Sequence, residues 1–324
     1  MLDYLLETYP DYLVVNVDSL SYAADPENTK EAERFDRYVF VHGDITQSDL
    51  LRETFEKYAI NAVMHFAAES HVDNSLKDPG AFVHSNILGS YTLLEVARRY
   101  WEKQNWLKEA RFHHVSTDEV YGSLGPYGLF TEESPYQPNS PYSASKASSD
   151  FLARAYHHSF GMNLTISNCS NNYGPRQHDE KLIPTVIRSC FEEKEIPIYG
   201  DGKNIRDWLY VKDHVRAVDL IFHRGTSGQT YNVGCQNEKT NLELLNLLCS
   251  CMDRLFPRRG GTSYEALQTF VKDRAGHDRR YAIDNHKIQT QLGFSITSSF
   301  EEKLQETVSW YWSRYSSRSA KKSS

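Results

Sequence analysis

The chain has 324 residues, 40% of them hydrophobic and 24% charged, which is enough for one large α/β domain or two modest ones sharing a core. Its 43 acidic and 36 basic residues leave a formal charge of −7. That balance gives no electrostatic reason to expect a nucleic acid or an anionic membrane as partner.

The opening stretch, MLDYLLETYPDY, has no charged n-region and no cleavage site, so it does not read as a signal peptide. Apolar strand-like runs follow at Tyr12–Leu20, Arg37–Asp44, Ala62–Ser70, Ala110–Asp118 and Leu164–Asn172. Between them lie helical patterns at Ser48–Ala59, Asn86–Lys103 and Tyr142–Phe160. Near-continuous apolar strands alternating with helices predict a Rossmann-like, doubly wound parallel sheet covered on both faces. The texture changes after Gly174, with longer loops and helices at Leu182–Glu193 and Asn241–Phe256. The expected division is a nucleotide-binding domain over 1–174, with 206–235 returning to it, and a smaller lobe over 175–205 and 236–315. The last helix is expected at Phe300–Tyr315, with 316–324 a disordered tail too polar to bury itself. The five cysteines, at 169, 190, 235, 249 and 251, form no CxxC pair and read as buried reduced thiols, with no metal site. No run approaches the ~20 apolar residues of a membrane span. The expected location is the cytoplasm.

Strand ends carry the first functional signals. In a doubly wound fold an acid ending the second strand commonly bonds the adenosine ribose of NAD. Asp18 fits, although a cap or turn role is equally open. Asp44-Ile45 ends the next strand, and Phe66, Ala67 and Ala68 follow the one after, small enough at the alanines for close backbone approach. The glycine-rich phosphate loop expected about 20 residues before the ribose acid is missing. Only 17 residues precede Asp18, none of them glycine. The expectation is an absent first strand and loop, from a truncated gene model or, alternatively, a true loss of tight cofactor binding.

The stretch VSTDEVYG places Asp118 and Glu119 side by side behind Thr117. If the backbone stays extended they point to opposite faces. Tyr142 and Lys146, in YSASK, lie at i and i+4 on one helical face. A tyrosine titrates near ~10, and a neighbouring ammonium favours its phenolate, making it a usable base.

Together with FAAESHVD, SPYSASKASSD, NCSNNYGP, EKLIP, PIYGDGKNIRDWLYVKDH, YNVG, NEKTN and GHDRRYAID, these stretches resemble the extended short-chain dehydrogenase/reductase superfamily, NAD-dependent epimerase/dehydratase family. Within it they resemble the dTDP-glucose 4,6-dehydratases. The chain departs from that pattern in the missing glycine loop and at Ala275, where the pattern has proline. The resemblance implies NAD as cofactor, dTDP-glucose as substrate, and C4 oxidation followed by loss of water across C5 and C6 and hydride return to C6, a step toward deoxysugars. Tyr142 would take the C4 hydroxyl proton, Lys146 would lower its pKa, and Thr117 would hydrogen-bond the C4 oxygen. Glu119 would be the base at C5 and Asp118 the acid at C6, one ionised while the other is protonated. It further implies cofactor contacts from Asp18, Ser19, Leu20, Ser21, Asp44, Ile45, Phe66, Ala67, Ala68, Ser85, Tyr142, Lys146 and Asn172. Substrate contacts fall on Ser70, Thr117, Asn171, Lys181, Leu182, Pro197, Tyr199, Arg206, Asn241, Asp273 and His277. Arg206 suits a pyrophosphate because a guanidinium engages two oxygens at once. A homodimer built on Asn86–Lys103 and Tyr142–Phe160 is implied in the same way. The rival readings are an epimerase or a dehydratase for another nucleotide sugar, and a truncated remnant that binds nucleotide sugar without turning it over.

Overall fold

The computed structural model describes residues 1–273 and 276–323. Helix α1 (Leu2–Thr8) buries Leu5 and Leu6 and leads into two parallel strands, β1 (Val14–Asp18) and β2 (Tyr38–His42), with Val14 opposite Tyr38 and Asp18 opposite His42. After α2 (Ser48–Tyr58) comes β3 (Ala62–His65), then the short helices α3 (Val72–Lys77) and α4 (Pro79–Phe82). A π-helical turn over Val83–Gly89 runs into α5 (Ser90–Gln104), so the helix expected over Asn86–Lys103 changes pitch within its first residues. Strand β4 (Arg111–Thr117), helix α6 (Pro141–Phe160) and strand β5 (Leu164–Cys169) follow.

The strand expected over Leu164–Asn172 is two strands. β5 stays in the main sheet, and β6 (Asn171–Tyr173) leaves it. Beyond α7 (Leu182–Phe191) and β7 (Ile196–Tyr199), strand β8 (Ile205–Tyr210) pairs with β6, and α8 (Val211–Arg224) leads to β9 (Thr230–Val233), which pairs parallel with β5. β10 (Glu238–Thr240) completes the β10-β8-β6 sheet, α9 (Asn241–Leu255) follows, and β11 (Gln268–Val271) pairs with β7. Helices α10 (His286–Leu292) and α11 (Phe300–Ser323) end the chain.

The main sheet has the order β3-β4-β5-β9, all parallel, and β1-β2 forms a separate pair. In a 3-2-1-4-5-6 sheet the central strand runs between the positions held here by β1 and β3. The break therefore falls where the sequence shows no first strand. Two apolar centres hold the halves. One packs Trp101, Phe112, Leu164 and Ile166 between α5, α6 and the sheet; the other packs Ile183, Ile196, Leu244, Leu248 and Val308 among α7, α9 and α11. Trp101 is fully buried and its indole N–H donates to the carbonyl of Ile60 at 2.8 Å, so its one polar atom is satisfied.

The final helix passes Tyr315 and continues to Ser323, where the sequence reading placed a disordered tail. No glycine or proline interrupts it, and Arg314 and Arg318 both pair with Asp25, giving the added turns a partner. All five cysteines are free; Cys190, Cys249 and Cys251 are buried, whereas Cys169 and Cys235 are half-buried. Among the described residues no helix is long and apolar enough to cross a membrane, and no His, Cys, Asp and Glu cluster fits a metal ion.

Candidate active site

The acid pair does not continue the strand. β4 ends at Thr117, and a 3-10 turn over Asp118–Tyr121 begins at once, capped by the Thr117 hydroxyl, which accepts from the Glu119 amide at 3.3 Å. The extended geometry expected for the doublet is thus replaced by a turn. Asp118 is driven inward, 1% exposed, while Glu119 lines the open cleft. One carboxyl oxygen of Asp118 takes the Thr117 hydroxyl at 3.4 Å, and the other is buried without a partner. Burial, reinforced by Glu119 and Asp207, holds Asp118 well above the usual carboxylate range and favours its protonated form. An acid keeping its proton beside one facing the cleft is the asymmetry that paired acid and base work requires.

Helix α6 brings the tyrosine and lysine to this turn. Ser140 and Ser143 form a capping box and Pro141 occupies the first turn, so the start of the helix is fixed. Tyr142, Lys146, Asp150, Ala153 and Tyr156 recur on its buried face. The Thr117 hydroxyl acts on the Tyr142 phenol, favouring its phenolate. The Lys146 ammonium donates to the Val115 carbonyl at 2.8 Å. Burial, then Glu119, pushes Tyr142 well above its ordinary range. The Thr117 hydroxyl opposes that rise, and Lys146 is not among the groups that shift the phenol.

Asn86, fully buried in the π-helical turn, accepts from the Glu69 amide at 2.8 Å and donates to the Glu69 carbonyl at 2.9 Å and to Ser145 at 2.8 Å. It ties the loop after β3 to α6. A π turn that reorients one side chain toward a site in this way recurs in functional helices.

The cleft, about 230 Å³, is lined by Ser70, Asn171, Lys181, Leu182, Pro197, Tyr199, Arg206, Asn241 and His277. Thr117 and Asp273 do not line it. Thr117 is held beneath by its capping role, and Asp273 stands behind His277, whose Nδ1 it meets at 2.7 Å. Arg206 is 7% exposed, donates to the Asp278 carbonyl at 2.9 Å, and lies 4.2 Å from the Tyr281 ring. Lys181 donates to the Ser70 carbonyl at 2.7 Å, joining the two halves across the cleft. The sequence reading missed Glu180, Trp208 and Tyr281, which also line it. Glu180 and Tyr281 stand inside the motifs EKLIP and GHDRRYAID, so the signal was present.

Of the residues expected at the cofactor, Asp18, Asp44 and Phe66 lie at or just beyond the carboxyl ends of β1, β2 and β3. Asp18 is exposed at the end of β1 and accepts from the Leu20 amide at 2.7 Å, with Leu20 in the left-handed region (φ 51°). Asp44 is turned to its own loop, accepting from the Thr46 amide at 2.8 Å. Ile45 is a core residue rather than a surface one. It packs in the α2/α5 layer against Gly89, where an added Cβ would lie 2.7 Å from its side chain. Phe66 is exposed beyond β3, Ser85 lies in the π turn, and Asn172 keeps one buried amide oxygen without a partner. Ala275 lies outside the described residues.

The sequence profile of the family described as GDP-mannose 4,6 dehydratase matches residues 1–307. The chain belongs to that family. It is 48% identical over 316 residues to a dTDP-glucose 4,6-dehydratase of Haemophilus influenzae, covering 96% of this chain and 93% of that protein. It is also 48% identical to dTDP-glucose 4,6-dehydratase 1 of Escherichia coli, covering 93% of this chain and 86% of that protein. Among solved structures it resembles DesIV, a dTDP-glucose 4,6-dehydratase from Streptomyces venezuelae with NAD bound. The TM-score is 0.89 at 40% identity, with 97% of this chain and 94% of that chain covered. A UDP-glucuronic acid 4-epimerase from Bacillus cereus shares the fold at TM-score 0.85 and 26% identity, covering 97% of this chain and 95% of that one.

Proposed function

We infer that the chain is a dTDP-glucose 4,6-dehydratase, an NAD-dependent hydro-lyase that converts dTDP-glucose to dTDP-4-keto-6-deoxyglucose and water. The observation that carries this reading is the split of Asp118 and Glu119: one is buried where its neutral form is favoured, the other faces the cleft, and both lie beside Thr117 and Tyr142.

The chain's own residues supply the proton chemistry. Tyr142 removes the C4 hydroxyl proton, and Thr117 stabilises the oxygen left behind. The resulting ketone acidifies C5, from which Glu119 takes a proton. Asp118 delivers its proton to the departing C6 hydroxyl. NAD, when bound, supplies the hydride acceptor at C4 and the donor at C6. The residues present fit its two ends: Asp18 the adenosine ribose, and Tyr142, Lys146 and the unpartnered Asn172 oxygen the nicotinamide side. Residues 1–42 contain no glycine. Lys181, Arg206, Asn241 and His277 hold the nucleotide sugar, with Arg206 on the phosphates.

On this reading residues 1–174 are the cofactor half, and 175–205 with 236–315 the sugar half. Val83, Leu88, Tyr91 and Phe151 are large apolar residues left exposed on the π turn, α5 and α6. That face supports a homodimer packed through α5 and α6. The protein works in the cytoplasm. An epimerase reading needs Tyr142 and Lys146 but has no use for a protonated Asp118.

The test is turnover. The purified chain, given saturating NAD and dTDP-glucose, should yield a 4-keto product seen by its alkaline absorbance, and Glu119→Gln should abolish it. A 4-epimer in place of that product would favour the epimerase.

A further inference from the structure

Tyr142 and Lys146 ride on α6, whereas Thr117, Asp118 and Glu119 end β4, so the chemistry depends on how helix and strand are set against each other. The contact between them that reaches deepest is made by Asp150, one helical turn beyond Lys146 and 0% exposed. Its carboxylate meets His114 Nε2 at 3.0 Å and accepts from the Ser116 hydroxyl at 2.8 Å and the Tyr136 hydroxyl at 2.9 Å. His114 and Ser116 lie on one face of β4 and flank Val115. The carbonyl of Val115 is the group that receives the Lys146 ammonium. Asp150 thus grips the strand on both sides of the lysine's acceptor.

We propose that Asp150 is a positioning residue of the dehydratase: it fixes α6 against β4 so that the tyrosine and the acid pair meet one substrate, and its charge balances the buried Lys146 ammonium. This rests on the function inferred above. Beyond satisfying these donors, the carboxylate acts on the Lys146 charge. Burial pushes the Lys146 ammonium down and Asp150 opposes that. The other titratable neighbours do not take over the task. Burial lowers His65 of β3 and, against the pull of Asp150, His114 of β4, which disfavours charge on either ring, and it raises the Cys169 thiol of β5 to about 12. Arg154, the nearby cation on α6, donates to the Tyr136 hydroxyl at 2.9 Å.

The test uses Asp150→Asn in the full chain, with folding checked by circular dichroism. In protein carrying [13Cε]lysine, the Lys146 resonance is assigned by its loss in Lys146→Met and followed against pH. Removing one nearby opposite charge should move the Lys146 titration down by about one unit or more. The alkaline limb of kcat should move with it, and kcat at the parent's optimum should fall roughly 100-fold with KM near the parent's. Tyr136→Phe removes a donor and no charge, and should leave the Lys146 titration in place. A Lys146 titration unchanged in Asp150→Asn, or a kcat loss uniform across pH, overturns the proposal. Should Asp150→Asn fail to fold, the parent decides it: a Lys146 already neutral at about pH 8 would leave no charge to balance. The resonance is read without turnover, so an inactive parent would refute the dehydratase reading and still leave the role of Asp150 decidable.

Discussion

Asp118→Asn separates the two halves of the elimination. Asp118 is 1% exposed and burial favours its neutral form, so the amide is close to it in charge and volume. What it removes is the transferable proton. The added amide hydrogens face a site where one oxygen has no partner, and leaving them unsatisfied costs about 1–3 kcal/mol of stability. Loss of a general acid costs roughly 10²–10⁴-fold in rate, or about 3–5 kcal/mol of barrier. Glu119 is untouched, so removal of the C5 proton should persist. The assay is run in deuterated water with dTDP-glucose. The variant should form the 4-keto-6-deoxy product at least 100-fold more slowly, while recovered substrate gains deuterium at C5. Near-normal product formation, or loss of exchange together with loss of product in a folded variant, would refute the division of labour between the two acids.

Arg206→Lys keeps the charge but loses the planar fork and the stack on Tyr281, and should raise KM for dTDP-glucose roughly tenfold or more with kcat little changed. Phe151→Glu places a charge on the exposed apolar face of α6 and should convert a dimer to a monomer in light scattering; an unchanged mass would remove that face from the interface. The docking of α1 should depend on pH. The bond from Asp219 raises His223 above its ordinary value, so its stabilisation is complete below about 6.5 and is lost as pH rises through the raised value. Burial raises Asp219, but bonds from His223 and Tyr9 outweigh it and lower the net value, so that contribution is lost only under strong acid. The melting temperature should therefore fall as pH rises past His223, and His223→Gln should flatten that slope.

The parallel sheet was legible because its strands alternate with helical patterns along the chain, and because β4 and β5, buried on both faces, carry few charges. The YxxxK pair was legible for a similar reason, since the i, i+4 spacing and the Ser140–Pro141 start fix the helix. What the sequence obscured was local. Residues 164–172 hold a Ser/Asn cluster at the break but no glycine or proline, and β6 pairs with β8, a strand more than 30 positions on, a partner that a single-strand period cannot reveal. The turn at Asp118 depends on a threonine cap and on burial, neither of which shows in a run of apolar residues followed by acids. At Ile45 the strand-end position was legible, whereas the packing of its side chain against Gly89 in the core depends on the π turn and was not. Asp150 went unnoticed because an aspartate on a helix ordinarily reads as solvated. Only its three partners, from β4 and the loop before α6, show otherwise.

The central claim is a single substrate oxidised at C4, stripped of water across C5 and C6, and reduced at C6 in one site. Substrate deuterated at C4 tests it most directly. Incubated with the chain, saturating NAD and an equal amount of unlabelled dTDP-glucose, it should give product with deuterium at C6, and the label should stay within the molecules that carried it. Deuterium returned to C4, or a product that holds none, would contradict the account.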